Sequence, residues 1–327
     1  MKRLSALFSV VVVCGMMLAA CQSQTAAPGA APSEAVSQPP ANAAPTEAGA
    51  APQAGPTNAP AVAPQHAAVP GDLPGGNGMF LGDQSTVSSL NKARAFSGDR
   101  FTLGKFERPY NANTMDVYFP YLDLVSANLY QDQSWVYARV TLVGRDANNA
   151  FPGKYALEID KNMDGRGDLL VMATKPSSTD WTTDGMQVFK DANGDVGGVN
   201  VVVSDSQAGD GYETVVFDPA AGTPTDPDVA WVRLAPSDPN SLEIAFKASL
   251  LEGDAKYMVG IWAGNDALNP ALFDLNDHYT HEQAGEANAD IASFYPIKGL
   301  AELDNTCRQA MGFVPTGSEP ALCSQGK

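Results

Sequence analysis

The stretch DLVSANLYQDQSWVYARVTLVG, residues 123–144, contains the clearest strand pattern in the chain. In its second half, aliphatic residues alternate with aromatic and polar ones. The aliphatic set is Val136, Ala138, Val140 and Leu142, and the other set is Trp135, Tyr137, Arg139 and Thr141. Alternation with a period of two is typical of a strand that buries one face. With a turn around Asp132 between its two halves, the stretch predicts an antiparallel hairpin.

Short runs rich in β-branched and aromatic residues recur along the rest of the chain, each bounded by Asp, Asn, Gly or Pro. They are KYALEI (154–159), DLLVMAT (168–174), MQVFK (186–190), VNVVVS (199–204), YETVVFD (212–218), VAWVRLA (229–235), SLEIAFKA (241–248) and KYMVGIWAG (256–264). Helical periodicity is scarce, and only SLNKARAF (89–96) and KGLAELDNTC (298–307) predict short helices. The number and spacing of the runs predict an all-β fold, an antiparallel β-sandwich with a few short helices.

The N-terminus, MKRLSALFSVVVVCGMMLAAC, has two basic residues followed by an apolar run. Because this run is too short to span a membrane, it predicts an export signal over residues 1–20. Leu18 to Cys21 resemble the bacterial lipobox, which implies cleavage before Cys21 and lipidation of that cysteine. The alternative is an ordinary cleaved signal. We therefore expect an exported protein, anchored by its N-terminal lipid in the membrane of the bacterial cell envelope, with its body facing the periplasm or the exterior.

Residues 21–76 differ in composition from the rest of the chain. Between residues 22 and 76 there are 11 Pro and 17 Ala, and no Lys, Arg, Phe, Tyr or Trp. Such a segment cannot bury enough apolar surface to offset its conformational entropy. It predicts a disordered tether that precedes a β-sandwich domain at residues 77–327.

The cysteines predict how the C-terminus is held. Cys14 is removed with the signal and Cys21 carries the lipid, so Cys307 and Cys323 are the thiols that remain in an oxidising compartment. We expect them to form a disulfide that closes the C-terminal segment against the sandwich.

The segment EIDKNMDGRGDLLV, residues 158–171, has the oxygen-bearing pattern of a cation loop. Positions 1, 3, 5 and 9 are Asp160, Asn162, Asp164 and Asp168, with Gly165 at position 6 and the Arg166 carbonyl at position 7. This half of the loop resembles the calcium loop of EF-hands and dockerins. Position 12 is Val171 and the flanks are strand-like, which excludes the helix-loop-helix version. We predict a structural Ca²⁺ site, with a solvated acidic hairpin turn as the alternative.

A second loop, FKDANGDVGG at residues 189–198, offers Asp191, Asn193 and Asp195. The pair Asn193 and Gly194 favours a type I′ hairpin turn, and a second cation site is the runner-up. His278 and His281 lie among acidic residues, where a surface or packing role is favoured over zinc binding.

No catalytic residue can be assigned. There is no G-x-S-x-G elbow, P-loop or cysteine nucleophile, which favours a protein without enzymatic activity. The net charge of −17 argues against nucleic acid as a partner and is compatible with divalent cations.

The run YLDLVSANLYQDQSWVYARVTL, followed by YALEID and the acidic loop, resembles family 9 carbohydrate-binding modules and DOMON-like domains. The resemblance implies a ligand-binding sandwich, often with structural calcium. Trp135 is a candidate for sugar stacking because it lies opposite the aliphatic face. We therefore expect a non-enzymatic cell-surface lipoprotein that binds a glycan or an envelope polymer. The alternatives are a glycan-active hydrolase and a structural or adhesive surface component. Arg166, Gly167 and Asp168 spell an adhesive tripeptide, but cation geometry already explains two of these residues, so an adhesive role for the tripeptide is not favoured.

Overall fold

The computed structural model describes residues 65–92, 95–96, 101, 104–196, 209–222, 224–273, 275–285 and 294–323. The predicted export signal, Cys21 and the tether up to residue 64 lie outside these residues, as does the strand predicted at 199–204. In the part that is described, no helix has the length and apolar character needed to cross a membrane.

The described residues form 15 strands and two short α-helices. The strands are β1 (Met79–Gly82), β2 (Ala95–Phe96), β3 (Glu107–Arg108), β4 (Leu124–Gln131), β5 (Trp135–Leu142), β6 (Lys154–Asp160), β7 (Leu169–Thr174), β8 (Met186–Lys190), β9 (Thr214–Phe217), β10 (Ala230–Leu234), β11 (Ser241–Lys247), β12 (Tyr257–Gly264), β13 (Phe294–Tyr295), β14 (Leu303–Asn305) and β15 (Gln309–Met311). The helices are α1 (Leu275–His278) and α2 (His281–Ala284), and 3₁₀ turns lie at Thr86–Lys92, Ala248–Leu251 and Pro270–Leu272.

Two antiparallel sheets account for nearly all of these strands. One has the order β1-β4-β5-β11-β10, and the other has the order β3-β14-β12-β6-β7-β8-β9 with β15 also paired to β12. A short separate sheet joins β2 and β13. The prediction of an all-β antiparallel sandwich with few helices is confirmed.

The opening stretch forms the β4–β5 hairpin as predicted. Asp132 closes the turn, because its backbone N–H donates to the Trp135 carbonyl at 2.9 Å and its Oδ1 accepts from the Ser134 and Trp135 amides. The predicted aliphatic face of β5 enters the core between the two sheets. Side chains from β4, β6, β11 and β12 complete this core: Ala127, Leu129, Tyr155, Leu157, Ile159, Leu242, Ile244, Phe246, Tyr257, Val259 and Ile261. The alternation of β5 therefore sets both the register and the inner face of its sheet.

Several strands are apolar on both faces because both sheets are covered on the outside. The outer face of the larger sheet packs Leu170, Met172 and Trp262 beneath Phe273 and Leu300. The outer face of the smaller sheet packs aromatic residues beneath an N-terminal segment. These residues are Trp135, Tyr137 and Trp231, with Ala68, Leu73, Tyr130 and Trp181 packed against them.

The packed body begins earlier than the predicted boundary at residue 77. The Asp228 carboxylate accepts hydrogen bonds from the Ala67 and Ala68 amides, both at 2.8 Å, and lies 2.7 Å from His66 Nδ1. Residues 65–76, predicted as tether, thus include a segment packed on the smaller sheet. The composition of this segment could not predict the packing. The hydrogen bonds come from the backbone of two alanines, and their acceptor, Asp228, is far away in the sequence.

Of the two predicted helices, the one at residues 298–307 is wrong, because this segment contains β14, whose backbone pairs with both β12 and β3. The one at residues 89–96 is partly confirmed, since a 3₁₀ helix covers Thr86–Lys92 and the strand β2 follows at Ala95–Phe96. In the first segment, pairing with the sheet edge outweighs the local apolar spacing.

The predicted disulfide is confirmed, with Cys307 and Cys323 joined and their Cα atoms 4.9 Å apart. Both cysteines pack against the core between the sheets. Within the closed segment, Pro320 lies against Gly165, where an added Cβ would come within 2.8 Å of the proline. The C-terminal segment therefore covers part of the acidic loop that links β6 and β7.

Candidate functional site

The first acidic loop, residues 160–168, connects β6 to β7 and is built around the buried side chain of Asp160. Its Oδ1 accepts from the Met163 amide at 2.6 Å and its Oδ2 accepts from the Gly165 amide at 2.9 Å. Gly165 has a φ of 96°, a conformation that favours glycine. The position-1 carboxylate thus folds the loop back on itself.

The other oxygen-bearing side chains continue this folding. Asn162 Oδ1 accepts from the Asp164 amide at 2.9 Å, and Asp164 Oδ1 accepts from the Arg166 amide at 2.9 Å. Asp168 Oδ2 accepts from the Lys161 amide at 2.6 Å. Such local bonds are typical of short Asx turns. The loop therefore has a defined shape, with Asn162 and Asp164 exposed and Asp168 half-buried.

The second loop, residues 191–196, repeats the hydrogen bonds of the first. Asp191 accepts from the Gly194 amide at 2.7 Å and from the Val196 amide at 3.0 Å, which are the same offsets of three and five residues. Asn193 Oδ1 accepts from the Asp195 amide at 3.1 Å, as Asn162 does from Asp164. Two loops of the same local geometry therefore follow β6 and β8.

The type I′ hairpin predicted for Asn193 and Gly194 is not formed. Only Gly194 of the pair has a positive φ, 74°, whereas that turn needs positive φ at both residues. The described strand that follows and pairs with β8 begins at Thr214, well beyond a two-residue connection. The Asp191 carboxylate, rather than a tight hairpin, sets the conformation.

The two loops lie side by side, because β7 and β8 are antiparallel neighbours with Leu169 opposite Lys190. The Asp191 amide donates to the Asp168 carbonyl at 3.2 Å, and the Arg166 guanidinium donates to the Gly194 carbonyl. We call residues 160–168 and 191–196 the paired loops. The structure thus places side by side two acidic stretches that are separate in the sequence.

A third acidic segment lies against the second loop. Asn193 Nδ2 donates to Asp210 Oδ1 at 2.9 Å, and the Asp210 amide donates to Asp195 Oδ2 at 3.2 Å. Glu213 accepts from the Ala192 amide at 2.9 Å. The other oxygen of Asp195, Oδ1, is buried and has no hydrogen-bond partner among the described residues.

A buried ion-pair network supports the base of the first loop. Arg308 Nη1 lies 3.0 Å from Asp160 Oδ2, and Arg308 Nη2 lies 3.2 Å from Glu158 Oε1. Glu158 also accepts from Trp262 Nε1 at 2.8 Å and from the Tyr212 hydroxyl at 3.1 Å. All of these side chains are buried. The network ties the first loop to the residue that follows Cys307.

Burial disfavours the charged forms of Asp160 and Asp168. It raises the pKa of Asp160 to about 6, although Arg308 and the Gly165 and Met163 amides lower it. It also raises the pKa of Asp168, although the amide and the charge of Lys161 lower it. The nearby lysines turn away, since Lys161 and Lys190 both approach Glu252, at 2.8 and 3.6 Å.

The donor types of the paired loops suit a hard cation, but among the described residues only Asp83, Glu107 and Asp304, which lie elsewhere, bring three acidic ligand atoms within 4.8 Å of one another. Every candidate ligand is an oxygen, from carboxylates, amides or a backbone carbonyl, as Ca²⁺ prefers. An ionised carboxylate offers about four lone-pair directions, and Asp160 uses three, for Met163, Gly165 and Arg308. Asp195 Oδ1, which has no hydrogen-bond partner among the described residues, is also available to a cation.

Trp135 is not an exposed stacking platform. The hairpin places it on the predicted face, but only 6% of its surface is exposed, because Trp231 and the N-terminal segment pack around it. The adhesive tripeptide is also constrained. Gly167 is buried, and an added Cβ there would collide with Tyr212 and Glu158. His281 packs edge-on against Phe101 at 5.2 Å, in agreement with a packing role.

An open depression of about 500 Å³ lies beside β9, at the edge of the larger sheet. Its lining includes Val215, Asp218, Thr225 and Asp226. Val215 is 57% exposed. The lining holds no tyrosine or tryptophan, and its one aromatic side chain, Phe217, is buried. This depression therefore offers no aromatic surface for a sugar.

Sequence reasoning missed one group of acidic residues. The ligand oxygens of Asp83, Glu107 and Asp304 lie within 4.8 Å of one another, and Asp123 is close enough to raise the pKa of Asp83. These residues are spread over more than 200 positions, so no local spacing links them. Only strand pairing brings them together.

No protein family model, curated protein or solved structure matches this chain.

Proposed function

We propose that this protein is a non-enzymatic, calcium-binding β-sandwich, exported and held at the cell envelope by a lipid on Cys21. The observation that carries the proposal is the pairing of two acidic loops with the same hydrogen bonds at one end of the larger sheet. Each loop holds an Asp-x-Asn-x-Asp pattern in one folded shape. Calcium would hold this end of the sandwich together.

The charge on the paired loops supports a cation. Five aspartates lie on them: Asp160, Asp164, Asp168, Asp191 and Asp195. Two like charges 4 Å apart repel by about 4 kcal/mol at the effective dielectric constant near a protein surface. Arg308 offsets part of this repulsion at Asp160 and Lys161 part of it at Asp168, although the Lys161 and Lys190 ammonium groups contact Glu252. A divalent cation would offset the remainder.

Calcium fits better than magnesium. Asp160, Asn162, Asp164, the Arg166 carbonyl and Asp168 would hold it in the first loop, and Asp191, Asn193 and Asp195 in the second. Magnesium requires a near-ideal octahedron and gives up its water reluctantly, whereas calcium accepts six to eight oxygens in flexible geometry. Since position 12 has no carboxylate, we expect a dissociation constant of about 10⁻⁴ to 10⁻³ M, as in extracellular modules.

Calcium should raise the melting temperature of the purified protein. Ligand at tens to a hundred times its dissociation constant stabilises the folded state by about 1 to 3 kcal/mol, and each kcal/mol is worth about 2 to 4 °C in a domain of this size. The Asp164→Ala, Asp195→Ala double variant should show a smaller calcium-induced shift. Asp160 and Asp191 are kept, because their carboxylates fold the loops whether or not calcium is present. The measurement is thermal unfolding in 10 mM calcium and in chelator.

The matched control is the Asp180→Ala, Asp184→Ala double variant. It removes the same charge from exposed positions in the β7–β8 connection, at the opposite end of these strands. We expect it to keep the full calcium-induced shift. Equal shifts in the loop variant and in this control would contradict calcium binding by the paired loops.

For the ligand, we propose a glycan or an envelope polymer bound in a calcium-dependent way. The first loop offers about five protein oxygens, so a calcium ion that takes six to eight would retain positions for water or for sugar hydroxyls. A glycan array probed in calcium and in chelator should show binding in calcium only, without release of reducing ends. Release of reducing ends would favour the hydrolase. The absence of both binding and release would favour a structural or adhesive component.

A further inference from the structure

Four acidic side chains meet where an edge of the smaller sheet faces an edge of the larger one. Glu107 and Asp304 are directly opposite each other in the β3–β14 pairing. Asp83 follows β1, and Asp123 immediately precedes β4. We call Asp83, Glu107, Asp123 and Asp304 the buried acidic cluster. It is separate from the paired loops, which follow β6 and β8.

Hydrogen bonds fix most of these side chains from one side. Asp304 Oδ2 accepts from the Leu124 amide at 2.7 Å. Asp123 Oδ2 accepts from the Tyr118 hydroxyl at 2.6 Å and from the Thr86 amide at 3.1 Å. The Thr86 hydroxyl donates to Glu107 Oε1. In protein metal sites, hydrogen bonds of this kind from surrounding groups orient the metal ligands.

Three of these side chains each have one carboxylate oxygen with no hydrogen-bond partner among the described residues. Asp83 Oδ2, Asp123 Oδ1 and Asp304 Oδ1 are buried and make no hydrogen bond among the described residues. Both Asp123 and Asp304 are 0% exposed. Asp83, Asp123 and Asp304 also form no ion pair within the described part of the chain. A buried acceptor without a partner costs about 1 to 3 kcal/mol, and more if it is charged. A cation bound by all three oxygens would remove this cost.

The spacing of the oxygens suits one cation. Ligand atoms of Asp83, Glu107 and Asp304 lie within 4.8 Å of one another. Oxygens on opposite sides of one Ca²⁺ are separated by about 4.6 to 5.2 Å, twice the usual calcium–oxygen distance. The set contains no histidine or cysteine, so zinc and copper are disfavoured. The cluster has the donors and the dimensions of a hard-cation site.

Burial and repulsion from neighbouring carboxylates disfavour the charged forms of Asp83 and Asp304. Burial raises the pKa of Asp83 to about 7, with a further rise from Asp123, while the Gln84 amide and Lys105 lower it. Burial also raises the pKa of Asp304 well above its usual range, and Glu107, Asp83 and Asp123 add to this. A divalent cation would offset both the burial and the mutual repulsion.

We propose that the buried acidic cluster is a further calcium site, with Asp83, Glu107 and Asp304 as its carboxylate ligands and Asp123 beside them. The ion joins the β1–β4 side of the smaller sheet to the β3–β14 edge of the larger one. This site does not depend on the paired loops, and either site can exist without the other.

The test starts from the Asp164→Ala, Asp195→Ala loop variant, which leaves the buried acidic cluster intact. We expect calcium chloride still to raise its melting temperature relative to chelator. Adding Asp304→Asn keeps an oxygen for the Leu124 amide but turns an NH₂ group, which cannot bind a cation, toward the cluster, and should abolish that remaining shift. The matched control in the same background is Asp184→Asn, which changes an exposed acid in the β7–β8 connection and should leave the shift unchanged.

Two outcomes would overturn the proposal. One is a loop variant that melts at the same temperature in calcium and in chelator. The other is a calcium-induced shift that survives Asp304→Asn in the loop-variant background. If Asp304→Asn does not fold, Asp83→Ala replaces it, since Asp83 is only partly buried and its Oδ2 has no bond to lose. A shift that survives Asp83→Ala then overturns the proposal in the same way.

Discussion

The Arg308→Ala variant should lose about 3 to 5 kcal/mol of unfolding free energy, the usual cost of removing one partner from a buried ion pair. Arg308 contacts Asp160 at 3.0 Å and Glu158 at 3.2 Å, and all three side chains are buried. Without the guanidinium, two carboxylates would remain in the protein interior without their cation. Urea unfolding in chelator, where no calcium neutralises Asp160, followed by tryptophan fluorescence, measures the loss.

Two variants control this experiment. Arg308→Lys keeps the charge, but a single ammonium lacks the planar fork that contacts both carboxylates, so its loss should be intermediate. Lys247→Ala removes a partner from the more exposed pair with Asp226, which should cost no more than about 1 kcal/mol. A loss for Arg308→Ala as small as that for Lys247→Ala would contradict the role of this network.

A comparably large loss, about 3 to 5 kcal/mol, is expected for Glu243→Ala on the outer face of the smaller sheet. Glu243 is fully buried between two arginines on the neighbouring strands, with Arg139 and Arg233 each 2.7 Å from its carboxylate. Strand register places the three side chains in one row. Removing the glutamate leaves two like charges on either side of a gap. The readout is again the midpoint and slope of urea unfolding.

Asp226→Ala is the matched control, since it removes one carboxylate from a partly exposed pair. We expect it to change the unfolding free energy by about 1 kcal/mol or less. If Glu243→Ala and Asp226→Ala had the same effect, the row of charges on the smaller sheet would contribute little to stability.

The strands were predictable because their apolar alternation and their bounding turns are local properties. MQVFK coincides with β8, and SWVYARVTLVG contains β5 with its inner face correctly assigned. What failed depends on distant partners. Residues 298–307 contain a strand because β12 and β3 supply its hydrogen bonds. Residues 65–73 pack on the smaller sheet because Asp228 accepts from the Ala67 and Ala68 amides and Trp181 donates to the Gly71 carbonyl. Neither set of hydrogen bonds can be predicted from the local sequence.

The candidate sites also differ in how far the local sequence predicts them. Each of the paired loops is visible in the sequence, because its Asp-x-Asn-x-Asp spacing folds locally through its own carboxylate. Their adjacency follows from the β7–β8 pairing and could be found only once that pairing was known. The buried acidic cluster had no sequence signal, since Asp83 and Asp304 are brought together by two different sheets. The Trp135 face was predicted, but the segment that covers it was not.

Calorimetric titration of calcium into chelator-stripped protein tests the central claim most directly, because it counts the ions bound. We predict that the protein binds more calcium ions than the Asp164→Ala, Asp195→Ala variant, while the Asp180→Ala, Asp184→Ala control matches the unchanged protein. The same number of bound ions, or none, in both the unchanged protein and the loop variant would contradict calcium binding by the paired loops.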